Sequence, residues 1–292
     1  MRQIRILLSL LVVILTACAG GSGQSSSITQ PIAYIENKGS DTIVNLALAW
    51  AETYQGEHSE VSISVTGGGS GTGLAALINK TVDIANASRQ IKQEEIDQAK
   101  TNGVDPVEFV VAKDAIAVIV NPENPVTQLT LQQISDIYSG KINNWEEVGG
   151  EDRPIVRLSR ETNSGTHVYF LEKVIRLGDK NNKTMFSTDT LLLPSSEGII
   201  NEVRLNPNAI GYDGLGYVPK DLKMIEVGRD DAGPFVLPSI ATVNDGSYPI
   251  ARDLYMYTAG EPTGAVKDYL DWIMTSDEAQ KIVAQLGFVP IK

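Results

Sequence analysis

The sequence is poor in cysteine, histidine and basic residues. It has a single cysteine, Cys18, and two histidines, His58 and His167, among 292 residues. One cysteine excludes an intramolecular disulfide, and so few histidines argue against a zinc site or a cysteine–histidine nucleophile. With 24 Lys and Arg against 36 Asp and Glu, the formal charge is −12. This balance argues against nucleic acid and against general adhesion to anionic lipid, because both partners require a basic face. One small anion held by local donors is not excluded.

Long apolar runs are also scarce, and the clearest one lies near the N-terminus at residues 6–15. It is too short for a comfortable membrane-spanning helix, which needs about 20 apolar residues. Because Arg2 and Arg5 flank its start, the run fits a secretory signal. It ends in Leu15-Thr16-Ala17-Cys18, which resembles a bacterial lipoprotein signal. That resemblance implies cleavage after residue 17 and a lipid, such as palmitate, on the Cys18 thiol. The alternative is a plain signal peptide with an incidental cysteine.

Residues 18–31 are mostly small and polar, which predicts a flexible tether without a core. Loss of residues 1–17 removes Arg2 and Arg5, so the formal charge changes from −12 to −14. The mature protein is therefore expected to be extracytoplasmic and anchored by lipid to the cell membrane.

From residue 32 onward, short apolar runs alternate with helical patterns, which predicts an α/β protein with mainly parallel strands. Residues 61–65, 107–111 and 115–120 are predicted strands. Residues 130–133 have capping-box spacing, and residues 265–286 predict two helices separated near Ser276. One apolar helical face is predicted from Ile43, Ala47, Trp50, Ala51 and Tyr54.

Three polar turns, at residues 38–42, 66–73 and 160–166, each precede a predicted helix. Ser, Thr and Gly therefore lie at helix N-termini, where backbone N–H groups lack partners and the helix dipole is positive. Such a turn can bind an anion, although the same residue types are ordinary N-caps. Three similar turns, one of them beside an arginine, favour a shared anion.

Other phosphate and nucleophile motifs do not fit these turns. No GxxxxGK[ST] sequence occurs, and Thr72 stands where GxGxxG needs its third glycine. Ser70 and Ser164 lack the flanking glycines of a GxSxG elbow. A serine hydrolase also needs a histidine base. His167 follows the third turn, where we predict a solvated side chain.

Short motifs cover nearly all of residues 32–292 in order: GSDT at 39–42, GGGSGTG at 67–73, VDIANASR at 82–89, DAIAVIVNP at 114–122, IYSGK at 137–141 with NW at 144–145, Arg160 with SGT at 164–166, IGY at 210–212, and YPIAR at 248–252. This set resembles the phosphate-binding proteins of bacterial ABC phosphate importers. The resemblance implies a type II periplasmic-binding-protein fold, with two mixed or mainly parallel sheets flanked by helices and joined by a two-strand hinge. It implies that lobe one comprises 32–114 plus 246–292, and that lobe two comprises 115–245.

The resemblance further implies that inorganic phosphate is bound and delivered to the permease and ATPase subunits of an ABC importer. No enzyme activity, cofactor or metal is then expected. The implied phosphate-binding residues are Ser40, Asp41, Thr42, Ser70, Thr72, Ser88, Arg89, Arg160, Ser164, Gly165 and Thr166.

Two positions depart from the family pattern. Ser88 stands where some relatives keep a phosphate-accepting aspartate, and Asp41 stands where some place threonine. Phosphate carries a proton near neutral pH whereas sulfate does not, so a carboxylate can select phosphate by accepting that proton's hydrogen bond. We predict this role for Asp41; the alternative is that Asp41 only caps its helix. Arg89 also has an alternative, a structural ion pair.

Three other functions stay open on the sequence. The same fold can bind another tetrahedral oxyanion, or serve as a surface adhesion or sensing protein, because fold does not fix function. A secreted Ser-dependent hydrolase or phosphatase is the third alternative, but the sequence offers neither a metal cluster nor a convincing catalytic triad.

Overall fold

Residues 33–292 are described by the computed structural model, and they belong to one compact unit. The predicted signal, Cys18 and the tether lie outside the described residues. Among residues 33–292, no helix combines the length and apolar character needed to cross a membrane.

Strands and helices alternate as the sequence predicts. The strands are β1 (Ala33–Gly39), β2 (Val61–Thr66), β3 (Ile84–Ala87), β4 (Val107–Val120), β5 (Gln128–Thr130), β6 (Val156–Arg160), β7 (Leu191–Leu193), β8 (Ala209–Gly214), β9 (Lys223–Met224), β10 (Glu226–Gly228) and β11 (Ala251–Thr258). The helices are α1 (Val44–Glu57), α2 (Ser70–Ile78), α3 (Gln93–Thr101), α4 (Leu131–Tyr138), α5 (Gly165–Phe170), α6 (Ser196–Leu205), α7 (Ile240–Asn244), α8 (Gly264–Thr275) and α9 (Asp277–Gln285). Short 3₁₀ turns cover Trp145–Val148 and Leu215–Tyr217, and a π-helix, Leu171–Ile175, continues α5.

The sheet is mixed, with the strand order β2-β1-β3-β11-β4-β8-β6-β7. β1 is parallel to β2 and β3, whereas β11 is antiparallel to β3 and β4. β4 pairs with β11 as far as Ala115 and with β8 from Ile116 onward, so this strand is shared by both halves of the sheet. The sequence predicted two strands here, and the structure has one strand of 14 residues.

Two large apolar cores include residues from the two halves of this shared strand: Val111 and Ala112 lie in one, and Ala115, Ile116, Val118 and Val120 lie in the other. In one core, Trp50 of α1 is fully buried, and its indole Nε1 donates to Ala279 O at 2.9 Å. The predicted apolar face of α1 lies in this core. The other core contains Tyr138, Phe170 and Tyr212, whose rings pack face to face or edge to face. Burial of aromatic side chains is a large stabilising contribution in both cores, since truncation of such a residue to alanine costs about 3–5 kcal/mol.

The helix boundaries predicted at Thr130 and near Ser276 are present in the structure. Thr130 caps α4, accepting a hydrogen bond from Gln133 N at 3.1 Å in a capping box. Ser276 separates α8 from α9 and caps the second helix through Ala279 N. These boundaries follow from residues close in sequence, because the side-chain oxygen satisfies an otherwise unpaired amide of the first turn.

Candidate anion-binding site

The first polar turn follows β1 and leads into α1. Gly39 has a φ of +147°, and a Cβ at this position would lie 2.2 Å from Asn86 O, so only glycine lets the turn pack against β3. Ser40 N donates to the same carbonyl at 2.9 Å. The hydroxyl of Ser40 is buried and has no hydrogen-bond partner among residues 33–292. A buried hydroxyl without a partner is costly, so it is available to a ligand.

The second turn follows β2 and leads into α2. Gly69 adopts a φ of +94°, and Ser70 begins the helix with a fully buried side chain. Ser70 Oγ accepts a hydrogen bond from Ser88 N at 3.0 Å and lies 3.3 Å from Ser88 Oγ. These contacts bring the second turn to the end of β3.

The third turn follows β6 and leads into α5, where Ser164 Oγ caps the helix by accepting from Thr166 N at 3.2 Å. Gly165 faces the second turn so closely that a Cβ would lie 2.3 Å from Ser70 Oγ and 2.5 Å from Ser88 Oγ. The third turn therefore meets the second with no room for a side chain at position 165.

The first and third turns meet through two threonines. Thr42 Oγ1 and Thr166 Oγ1 lie 2.7 Å apart, although 124 positions separate them in the sequence. Both side chains are buried. The three predicted turns thus converge, and together they bring helix N-termini and several hydroxyl groups to one buried place. Such an arrangement can bind an anion without a basic surface, because oriented N–H and O–H dipoles supply the attraction.

Arg160, at the end of β6, joins the first turn to the start of α6. Its Nη2 donates to Asp41 Oδ2 and to Pro194 O, both at 2.9 Å, and its Nη1 donates to Ser196 Oγ at 2.8 Å. Its Nε is buried and has no partner within the described residues. Asp41 Oδ2 also accepts from Ser196 N at 3.2 Å. The Asp41 carboxylate is thus held by an arginine and by the N-terminus of a fourth helix, α6.

The sequence did not predict two further members of this group, Ser196 and Asp213. Asp213 Oδ1 accepts from Ser196 Oγ at 3.0 Å, and Asp213 Oδ2 lies 3.8 Å from Arg160 Nη1. Burial raises the pKa of Asp213 to about 6, although the Arg160 charge opposes this effect. The available signals were the serine pair that begins α6 and the aspartate that directly follows the IGY motif.

A second arginine, Arg252 of β11, also lies at the site and was not predicted as a site residue. Its Nη2 donates to Thr166 Oγ1 and to Asp114 Oδ2, both at 2.9 Å. Asp114 is fully buried, and burial raises its pKa although the neighbouring Arg252 charge lowers it. The YPIAR motif was the sequence feature that could have identified this residue, because Arg252 is its last residue.

Two other predicted residues, Arg89 and Thr72, are bonded to protein atoms. Arg89 Nη1 and Nη2 donate to the two Glu95 carboxylate oxygens at 2.8 and 2.7 Å, an ion pair of the kind given as the alternative. Its Nε is buried and has no partner within the described residues. Thr72 Oγ1 donates to Gly68 O at 2.8 Å, within its own helix turn.

His167 is not the solvated side chain that we predicted. It is 7% exposed, because Phe186 stacks on its ring with the centroids 4.5 Å apart. Its Nδ1 lies 3.0 Å from Ser159 Oγ, which in turn lies 2.6 Å from the Tyr212 hydroxyl. Burial lowers the pKa of His167. The imidazole is therefore engaged with Ser159 rather than with Ser70 or Ser164. Among residues 33–292, no group of His, Cys, Asp and Glu side chains is arranged to hold a metal ion.

Comparison with known proteins places this site in context. A family model described as the PBP superfamily domain matches residues 24–278. The chain is 30% identical over 302 residues to the phosphate-binding protein PstS of Bacillus subtilis, covering 100% of this chain and 95% of that protein. It is 29% identical over 289 residues to PstS of Pseudomonas aeruginosa PAO1, covering 94% of this chain and 84% of that protein.

Two solved structures are similar over almost the whole described chain. A putative phosphate ABC transporter substrate-binding protein from Clostridium perfringens, with bound phosphate, is 34% identical with a TM-score of 0.78 and covers 89% of this chain and 100% of that one. An ABC-type phosphate transport receptor from Vibrio cholerae is 27% identical with a TM-score of 0.70, covering 88% of this chain and 99% of that one. The predicted α/β, two-lobed periplasmic-binding-protein fold is confirmed by these likenesses.

Proposed function

Because the chain belongs to the PBP superfamily, and within it to the family of the phosphate-binding PstS proteins, we propose that it binds inorganic phosphate outside the cytoplasm for import by an ABC transporter. The observation that carries this proposal is the convergence of three serine- and threonine-rich turns beside Arg160. Thr42 and Thr166 touch at 2.7 Å, and Gly165 leaves no room for a side chain against Ser70. The role consists of binding and release, so the chain itself carries out no reaction.

Phosphate needs many donors in a small volume, and the turns supply them. We propose Ser40, Thr42 and Thr166 as hydroxyl ligands, together with Ser70, Ser88 and Ser164 and the amide of Gly165. Arg160 contributes its charge and a charge-assisted hydrogen bond from Nε, since Nη1 and Nη2 already donate to protein atoms. The buried Nε of Arg160 and the buried hydroxyl of Ser40 support this set, because neither has a protein partner among residues 33–292.

Asp41 is proposed as the acceptor of the phosphate proton. Its Oδ2 is already bonded to Arg160 Nη2 and Ser196 N. Its Oδ1 lies on the side of the second turn, 3.2 Å from the position of a Cβ at Gly67. Because Oδ2 already accepts from two donors, Oδ1 is the Asp41 oxygen left to accept a hydrogen bond from the ligand. A hydrogen phosphate has a proton to donate there, whereas sulfate has none, so the arrangement favours phosphate and arsenate over sulfate.

The two predicted lobes, 32–114 plus 246–292 and 115–245, are proposed to close over the ligand about β4 and the chain before β11. The two apolar cores support this division in the main, since Trp50 and Leu254 belong to one and Tyr138 and Tyr212 to the other, but Tyr248 and Ile250 pack in the second core, so the boundary in the core lies after residue 250. Hinge closure of this kind is a common way to enclose a ligand.

The residue that would anchor the protein to the membrane is Cys18, which lies outside the described residues. We propose that Cys18 carries the lipid that anchors the protein, which is supported by the Leu15-Thr16-Ala17-Cys18 sequence. Cells expressing the full chain are expected to incorporate labelled palmitate into it and to keep it in the membrane fraction. The C18S variant is expected to lose both; equal labelling of the two proteins would contradict the anchor.

Competition binding tests the phosphate proposal. Radiolabelled phosphate bound to the purified protein is expected to be displaced by unlabelled phosphate and arsenate but not by a hundredfold excess of sulfate. Displacement by sulfate at the same concentration as phosphate would instead assign the site to tetrahedral oxyanions in general.

A further inference from the structure

Arg252 contacts four separate segments of the site. Its Nη1 donates to Ser88 O at 2.9 Å, directly after β3. Its Nη2 donates to Asp114 Oδ2 and Thr166 Oγ1 at 2.9 Å, and lies 3.5 Å from Thr42 Oγ1. The Nε lies 3.3 Å from the same Asp114 oxygen. Most of the five donors of this guanidinium are therefore already bonded to protein atoms.

We infer that Arg252 is a positioning residue, which orients the hydroxyl groups of Thr42 and Thr166 so that the pair donates a hydrogen bond to the bound phosphate. This inference rests on the proposed phosphate-binding function. It assigns Arg252 a role distinct from that of Arg160, because Arg252 acts through the two hydroxyl groups.

The orientation follows from the inability of a guanidinium to accept a hydrogen bond. Because Arg252 Nη2 donates to Thr166 Oγ1, the proton of Thr166 must point elsewhere. The two threonine oxygens are 2.7 Å apart, so one hydroxyl donates to the other. In either direction, one proton of the pair is left for an outside acceptor, and it must point away from Arg252, because Nη2 lies 2.9 Å from Thr166 Oγ1 and 3.5 Å from Thr42 Oγ1 and can only donate. A cation at the far end of such a chain polarises it and strengthens that last donor.

Arg252 is itself held in place by the strands that join the two halves of the sheet. It lies directly across from Asp114 in the antiparallel pairing of β11 with β4, and the two side chains form a buried ion pair at 2.9 Å. The guanidinium carbon also lies 5.5 Å from the centroid of the Tyr169 ring. These contacts fix the arginine beneath the turns, so Thr42 and Thr166 meet it only when the first and third turns are together.

The ion pair determines how the inference can be tested. Removal of Arg252 alone would leave the buried Asp114 charge without its partner, which is strongly destabilising in its own right. The D114N/R252M double variant removes both charges and leaves side chains of similar size. D189N/R157M is a control for the loss of a buried arginine and its ion pair. Arg157 is also buried and paired at 2.9 Å, although its partner Asp189 is exposed, and none of its partners belongs to the three turns.

The experiment compares phosphate affinity by calorimetry in two backgrounds, wild type and T166V, with thermal unfolding recorded for every protein. We expect D114N/R252M to weaken phosphate binding at least tenfold in the wild-type background and less than threefold in the T166V background. The control pair is expected to change affinity less than twofold. Equal losses in the two backgrounds, or no loss in the first, would overturn the positioning role.

The R252K variant tests the same role of Arg252 if the double variant does not fold. R252K retains a positive charge beside Asp114, but an ammonium on a flexible stem cannot reproduce the planar fork. It is expected to show the same pattern, a tenfold loss that largely disappears with T166V, and a loss that persists with T166V would overturn the inference. If the wild-type protein does not bind phosphate, the proposed function fails; if it binds phosphate and the backgrounds behave alike, only the role of Arg252 fails.

Discussion

Replacing Arg160 with alanine removes a buried cation that the Asp41 and Asp213 carboxylates share with the proposed phosphate site. In the wild type, Arg160 lies 2.9 Å from Asp41 Oδ2 and 3.8 Å from Asp213 Oδ2. In the R160A variant, an incoming phosphate meets two carboxylates with no arginine between them. We therefore expect phosphate affinity to fall sharply.

The size of the loss follows from two contributions. A hydrogen bond to a charged group contributes about 1.5–3 kcal/mol. An unscreened carboxylate at about 5 Å from a unit anion adds about 3 kcal/mol of repulsion at an effective dielectric constant near 20. Even the smaller contribution alone exceeds a tenfold change, and together they predict a loss of roughly 4.5–6 kcal/mol, more than a thousandfold in affinity.

Calorimetric titration of phosphate-stripped R160A measures this loss directly. Because removal of one partner from a buried ion pair costs about 3–5 kcal/mol of stability, thermal unfolding must show that the variant is folded at the titration temperature. R160K is the companion variant, since it keeps the charge without the fork, and we expect it to bind more tightly than R160A and more weakly than wild type. A folded R160A protein that loses less than tenfold in affinity would refute the assignment of Arg160 to the phosphate.

Three further predictions concern other charged groups of the site. In the D41N variant, the ratio of phosphate affinity to sulfate affinity is expected to fall at least tenfold. An unchanged ratio would mean that Asp41 only caps its helix. The R89Q/E95Q variant is expected to have a lower melting temperature but a phosphate affinity within threefold of wild type, because Arg89 is bonded to Glu95. A larger loss of affinity would indicate that Arg89 binds phosphate. Burial raises the pKa of Asp213 from 3.8 to about 6, so between these pH values the native protein keeps a proton that the unfolded chain loses. The free energy of unfolding should therefore fall by about 3 kcal/mol as the pH rises through this window, and denaturant titrations should show a shallower fall in D213N; parallel pH profiles of the two proteins would contradict this role.

The sequence predicted well those features that depend on near neighbours. The apolar face of α1, the cap at Thr130 and the break at Ser276 each depend on residues within a few positions, and the structure has all three. The three polar turns were found for the same reason, because each combines glycine and hydroxyl residues at the start of a helix. A structural ion pair of Arg89 was left as an alternative without a named partner, because either a ligand or a carboxylate can bind an arginine; the structure supplies a local partner, Glu95.

The features that were missed depend on residues far apart in sequence. Asp114 interrupts an apolar run and suggested a break between two strands, but it lies within β4 because Arg252 of β11 neutralises it across the sheet. His167 was predicted to be exposed, and Phe186 covers it. No local sequence pattern predicts such partners, because the fold brings them together from distant parts of the sequence.

The site also explains how an acidic protein can hold an anion. Its formal charge is −12, yet the turns contribute helix N-termini, hydroxyl groups and buried arginines rather than a basic surface. The attraction is therefore local, and binding is expected to change little with salt, because screening acts mainly on exposed charges more than about 8 Å apart at physiological ionic strength.

The central claim is that this chain holds one phosphate between its converging turns. Calorimetric titration of the phosphate-stripped protein with phosphate, repeated with sulfate, tests it most directly. We expect one phosphate to bind per chain with saturable heat, and no measurable heat from sulfate at the same concentrations. Absence of phosphate binding by the folded protein, or equal binding of sulfate, would contradict it.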